Sequence, residues 1–68
     1  MGYNNGDETV EFEAKIEVTT AKARLLLPTV GPEQAWCPKS VTVSMEPVGN
    51  DLFVFVVHKW WAAKNGLV

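Results

Sequence analysis

Val10-Glu11-Phe12-Glu13-Ala14-Lys15-Ile16-Glu17-Val18 alternates apolar and charged side chains without a break. A period of two residues is the mark of a strand with one face buried and one wet, because successive side chains leave a strand on opposite sides. Val10, Phe12, Ala14, Ile16 and Val18 therefore form one face, and Glu11, Glu13, Lys15 and Glu17 the other. No helical period fits the same nine residues.

The next segment pairs with this strand. Thr19-Thr20-Ala21-Lys22 is polar enough for a loop, and Ala23-Arg24-Leu25-Leu26-Leu27 follows. Setting Val18 opposite Ala23 places Ile16 against Leu25, Ala14 against Leu27, and Glu17 against Arg24 on the outer face, which favours a hairpin. The rival is a short helix over residues 20–27, capped by Thr20 and stopped by Pro28. Eight residues make a poor helix, so the hairpin is preferred.

Further along, Pro28 to Pro32 is a loop, and Gln34-Ala35-Trp36-Cys37 is a short strand that Pro38 ends or confines to an edge. Val41, Val43 and Met45 alternate with Thr42, Ser44 and Glu46 as another half-buried strand. Pro47 to Asp51 reads as a turn. Leu52-Phe53-Val54-Phe55-Val56-Val57 is apolar on both sides, as befits a central or covered strand. Lys59 to Asn65 predicts a closing helix, with Gly66 at the position after it that favours positive φ. The fold expected is mostly β: a small antiparallel barrel or bent sheet, SH3-like or OB-like, of about five strands with a short C-terminal helix. Residues 1–8 are polar and contain glycine, a loose tail, and 9–68 form a single small domain.

Composition narrows the function classes. The chain has 68 residues, one cysteine, one histidine and a formal charge of −2. Residues 1–20 carry Asp7, Glu8, Glu11, Glu13 and Glu17 against Lys15, whereas the rest carries Lys22, Arg24, Lys39, Lys59 and Lys64 against Glu33, Glu46 and Asp51. Cross-strand charge pairing accounts for this division most simply. A single cysteine forms no internal disulfide, and Cys37 with His58 cannot complete a zinc site. Residues 1–5 lack the basic start and apolar stretch of a signal peptide, and the apolar run 52–57 is far shorter than a membrane span. A soluble, cytoplasmic protein is expected, without a membrane, cofactor, metal or small-molecule substrate.

Three segments resemble a group of short phage and prophage proteins. Thr20-Ala21-Lys22-Ala23-Arg24-Leu25-Leu26 is similar to their early hairpin. Trp36-Cys37-Pro38-Lys39-Ser40 matches their Trp-x-Pro-Lys-Ser signature. Trp60-Trp61-Ala62-Ala63-Lys64-Asn65-Gly66-Leu67 resembles their closing Trp-Leu-Ala-x-x-Lys-Gly-Leu stretch. Together these cover residues 20–68. This chain departs from the group at His58, where proline is usual, and at Trp61, where leucine is usual. The resemblance implies a phage-type, cytosolic, single-domain protein and carries no established activity.

Catalysis has little to stand on. Cys37 and His58 are the only nucleophile and base of that type, no third group orients them, and a cysteine beside Pro38 in apolar sequence suits a buried structural thiol. The chain is expected to be non-catalytic. It is expected to act by binding a protein, or itself as a homo-oligomer, in the host or phage DNA-handling machinery. Adjacent helical positions point about 100° apart, so Trp60 and Trp61 should not both be buried. Trp36 and Trp60 are assigned to the core, and Trp61, His58, Phe53 and Phe55 to a protein interface. The alternative is a single-stranded nucleic-acid binder that stacks bases on Trp61 between Lys59, Lys64 and Lys39. His58, between strand and helix, is a further candidate as a pH-sensitive element.

Overall fold

The computed structural model describes residues 8–68. Five strands and a helix follow in order: β1 (Thr9–Thr19), β2 (Ala23–Pro28), β3 (Ala35–Pro38), β4 (Thr42–Gly49), β5 (Leu52–His58) and α1 (Lys59–Lys64), with a 3-10 turn at Lys39–Val41 between β3 and β4. The tail expected over residues 1–8 lies outside the described residues except for Glu8, whose C=O accepts the Lys59 N–H at 2.8 Å.

The strands form one antiparallel sheet in the order β3-β2-β1-β5-β4. It is a bent sheet left open between β3 and β4, not a closed barrel. The bend lies in β1, the longest strand. Its first half pairs with β5, from Thr9↔His58 to Ala14↔Phe53, and its second half pairs with β2, from Ala14↔Pro28 to Thr19↔Arg24. Ala14 belongs to both ladders and is fully buried at the fold line, where the sheet leaves room for only a methyl group. Across the 3-10 turn that joins these two edge strands, the Thr42 hydroxyl donates to the Pro38 C=O at 3.3 Å.

The hairpin β1–β2 forms, but in a register other than the one expected. A bulge at Glu17 sets Ile16 opposite Leu26 and Val18 opposite Leu25. One inserted residue exchanges the two faces of everything beyond it. Leu26, not Leu25 or Leu27, points into the core and is fully buried, while Val18 is exposed. Arg24 lies opposite Thr19 and Cys37, so no Glu17–Arg24 pair forms across the strands. The loop is closed by the Thr20 hydroxyl, which donates to the Ala23 C=O and accepts its N–H.

β4 runs on to Gly49, past the expected turn at Pro47. The reversal is confined to Asn50 and Asp51, both with positive φ, the geometry of a two-residue type I′ hairpin. β5 is central, as its apolar sequence requires, lying between β1 and β4.

The core lies on one face of the sheet. Phe12 stacks on Phe55 with ring centroids 5.7 Å apart, and Phe53 tilts against Phe55 at 6.2 Å. Helix α1 caps this group with Trp61, which stacks on Phe12 at 6.5 Å, and with Ala62. The helix ends in a Schellman motif at Gly66: the Leu67 N–H reaches back to the Ala62 C=O at 2.8 Å and returns the Leu67 side chain to the core.

The assignment of the tryptophans is therefore corrected. Trp61 is 5% exposed and belongs to the core, whereas Trp60 and Trp36 are 49% and 50% exposed. For Trp60 and Trp61 the reason is the direction in which α1 leaves β5, which turns positions 61 and 62 onto the sheet and position 60 away. For Trp36 the reason is alternation along β3, where Ala35 and Cys37 are buried and the side chain between them faces outward.

Candidate functional site

The interface expected at Trp61, His58, Phe53 and Phe55 is not a surface. Phe55 is fully buried, Trp61 nearly so, and Phe53 packs half-buried against the same cluster. His58 is half-buried at the junction of β5 and α1, and its Nδ1 is buried with no hydrogen-bond partner. These residues build the core and its lid. The nucleic-acid alternative loses its central stacking group for the same reason.

What the fold exposes instead is the outer sheet face. Pairing places Trp36 on β3 opposite Leu25 on β2, and Leu25 opposite Val18 on β1. The three form a row across three neighbouring strands on the side away from the core. Trp36 and Val18 are exposed and Leu25 is half-buried. Lys22 and Lys39 lie beyond the end of the β2–β3 ladder, three residues along from Leu25 and Trp36, where the Lys39 N–H donates to the Lys22 C=O at 2.8 Å. Farther across the same side of the sheet, Val54 lies between Glu13 and Glu46, and Val56 between Glu11 and Ser44. The outer surface thus divides into an aromatic and apolar end and an acidic end with two half-buried valines.

The charge pairing expected between strands is largely unmade. Among the described residues the one ion pair joins Lys59 to Glu8 at 3.5 Å, between two exposed side chains. Such a pair contributes little. Trp60 stands beside it, and Glu8, Lys59, Trp60 and Ala63 line a shallow hollow of about 230 Å³. Lys64 lies one helical turn from Trp60 on the same exposed side of α1, while Lys39 lies in the 3-10 turn next to β3. The lysines proposed for one groove thus belong to two separate elements, α1 and the 3-10 turn that joins β3 to β4.

Cys37 is a buried structural thiol, as expected from its surroundings. Its Sγ contacts the Thr42 Oγ1 at 3.4 Å and the Pro38 C=O at 3.7 Å, with no bond to His58. Burial pushes its pKa up from the ordinary value, against smaller opposing effects from the Thr42 hydroxyl and the Arg24 guanidinium. A thiol held protonated is a poor nucleophile. Among the described residues no cluster of three or more His, Cys, Asp or Glu side chains could hold a metal ion, and no helix is long and apolar enough to cross a membrane.

Sequence reasoning missed Trp36 as a surface residue, although the signal was present. Ala35-Trp36-Cys37 alternates small, large, small, and only the small residues fit beneath β3. No protein-family model, curated protein or solved structure matches the chain.

Proposed function

We propose that this chain is a non-catalytic, phage-type accessory protein that works by binding another protein through its outer sheet face, centred on Trp36. The observation that carries the reading is the row Trp36–Leu25–Val18, held rigidly by two strand ladders on the side away from the core. A half-exposed indole on a flat, preformed surface contributes large contact area at little cost in conformational entropy, the usual make-up of an interface hot spot. The host or phage DNA-handling machinery, in the cytosol, is where such an accessory protein would act. The phage assignment rests on the resemblance of residues 20–68 alone.

Self-association by strand pairing has weaker support. The apolar strand β5 is not an edge, and the edge strand β4 is bulged at Val43 and Val48 and contains Pro47. Each of these features blunts an edge against pairing.

Single-stranded nucleic acid is the second reading, favoured by one observation: Trp36 presents an exposed indole on which a base could stack. The acidic end of the same face weighs against it. Two titrations separate the readings. Capture from host lysate should recover a partner with the wild type and lose it with Trp36→Ala, while Trp60→Ala retains it. Equal recovery by all three proteins would sink the protein-binding reading. Tryptophan fluorescence during addition of an oligonucleotide at about 50 mM salt, where phosphate-driven affinity is strong, tests the other. An unquenched signal there removes nucleic acid.

A further inference from the structure

β1 is longer than either ladder it joins, and this leaves one edge of its first half open. Beyond Pro28 the chain turns away from β1, so Thr9–Glu13 pairs with β5 alone. Backbone directions alternate along a strand. The Glu8 C=O points toward the β5 side, where it accepts Lys59 N–H, and the Glu13 C=O points the other way, where it accepts Thr29 N–H at 3.0 Å. The main-chain groups of Thr9, Glu11 and Glu13 consequently face the open edge. Among the described residues the Thr29 bond is the only backbone bond made across it.

That edge is the floor of a cleft of about 340 Å³. One wall is the loop Thr29–Gly31 and the other is Gly66–Val68 after the helix. The walls meet at Gly31, where φ is +94° and an added Cβ would lie 3.1 Å from the Gly66 C=O. Val30, Leu67 and Val68 give the walls apolar surface, and Glu11 and Glu13 place two carboxylates without a cationic partner among the described residues along the rim.

We propose that this cleft binds an extended basic peptide, which adds a strand to the open edge of β1 and sets alternate Lys or Arg side chains against Glu11 and Glu13. Strand addition draws affinity from main-chain bonds and specificity from alternate side chains. Both requirements are present here: among the described residues the N–H groups of Thr9, Glu11 and Glu13 and the C=O groups of Thr9 and Glu11 have no backbone partner on this edge, and carboxylates recur at the same spacing. A rise of about 3.3 Å per residue makes Thr9–Glu13 long enough to pair with four or five residues. A second copy of this chain is poorly suited as the occupant. Its edge strand β3 is four residues long and ends in Pro38, and its edge strand β4 is bulged and carries Glu46, a charge of the wrong sign. The site is separate from the Trp36 face and does not depend on that reading.

The test uses an eight-residue peptide of alternating Lys and Val with blocked ends, added to the full chain and followed by amide hydrogen exchange and NMR shifts. Saturation should slow exchange of the Glu11 and Glu13 amides about ten-fold, while the Phe12 amide, already facing β5, stays unchanged. The double variant Glu11→Gln/Glu13→Gln, altered only at exposed side chains, should weaken binding about ten-fold. A peptide N-methylated at alternate residues should not bind, and Trp36→Ala should bind as the wild type does. The proposal is overturned by an absence of saturable shifts at millimolar peptide, by shifts without protection of these two amides, or by equal binding of the N-methylated peptide. Protection that rises with protein concentration in the absence of peptide would assign the edge to a second copy and overturn it as well.

Discussion

Replacing each of the adjacent tryptophans by alanine should have very unequal consequences for stability. Trp61 is almost wholly buried and stacks on Phe12, which in turn stacks on Phe55, so its removal empties the centre of the core. Truncating a buried aromatic side chain costs about 3–5 kcal/mol, part lost transfer energy and part cavity. A domain of this length has about 3–10 kcal/mol of total stability, so Trp61→Ala should be partly or wholly unfolded at room temperature. Trp60, half exposed and outside the core cluster, should cost about 1 kcal/mol or less, a fall in Tm of about 4–8 °C. Far-UV circular dichroism with urea is the appropriate assay, since both variants alter the fluorescence. Trp61→Leu and Trp60→Leu form a milder pair should the alanine variant not fold, and the midpoint should again be lower for position 61. Equal midpoints for the two positions, or a lower one for Trp60, would refute the packing of α1 described above.

Three further outcomes test other parts of the fold. Gly66→Ala should lower stability by about 1 kcal/mol, because φ there is +78° and the Leu67–Ala62 bond depends on it; an unchanged urea midpoint would count against the Schellman ending. Asp51→Gly should raise stability by about 0.5–1 kcal/mol, read as a higher urea midpoint, as the second turn residue has φ of 65°. The Cys37 thiol should resist alkylation at pH 8 in the native protein and react readily in urea, with rapid native labelling as the contrary result. Since burial raises its folded pKa above the ordinary 9.0, the unfolded chain loses this proton first. The associated stability is complete below pH 9 and falls as pH rises beyond it, a decline that Cys37→Ala should flatten.

The strands were legible because their periods are strict. β1, β4 and β5 follow from alternation or from an unbroken apolar run, and Gly66 follows from the demands of a helix end. Register was not legible, since it depends on where an extra residue is accommodated. Nothing in the composition of Ile16-Glu17-Val18 marks a bulge, and the expected register satisfied both faces of the hairpin. The bulge arises from the bend: β1 must leave one ladder and enter another, and the inserted residue lets its second half twist onto β2.

The misplaced tryptophans have two separate origins. At β3 the face of Trp36 is set by pairing to a neighbouring strand, and its own sequence does not reveal that pairing. Trp36 lies opposite Leu25, and because the bulge turns Leu26 inward and Leu25 outward, Trp36 faces outward with Leu25. At α1 the period was known but its phase was not, because a six-residue helix has too few side chains to define an apolar stripe. Both corrections move the candidate surface from the helix to the sheet. Trp36 then takes its place from the strand ladders, not from its own hydrophobicity, and an aromatic side chain fixed in that way is available to a partner without any rearrangement of the core.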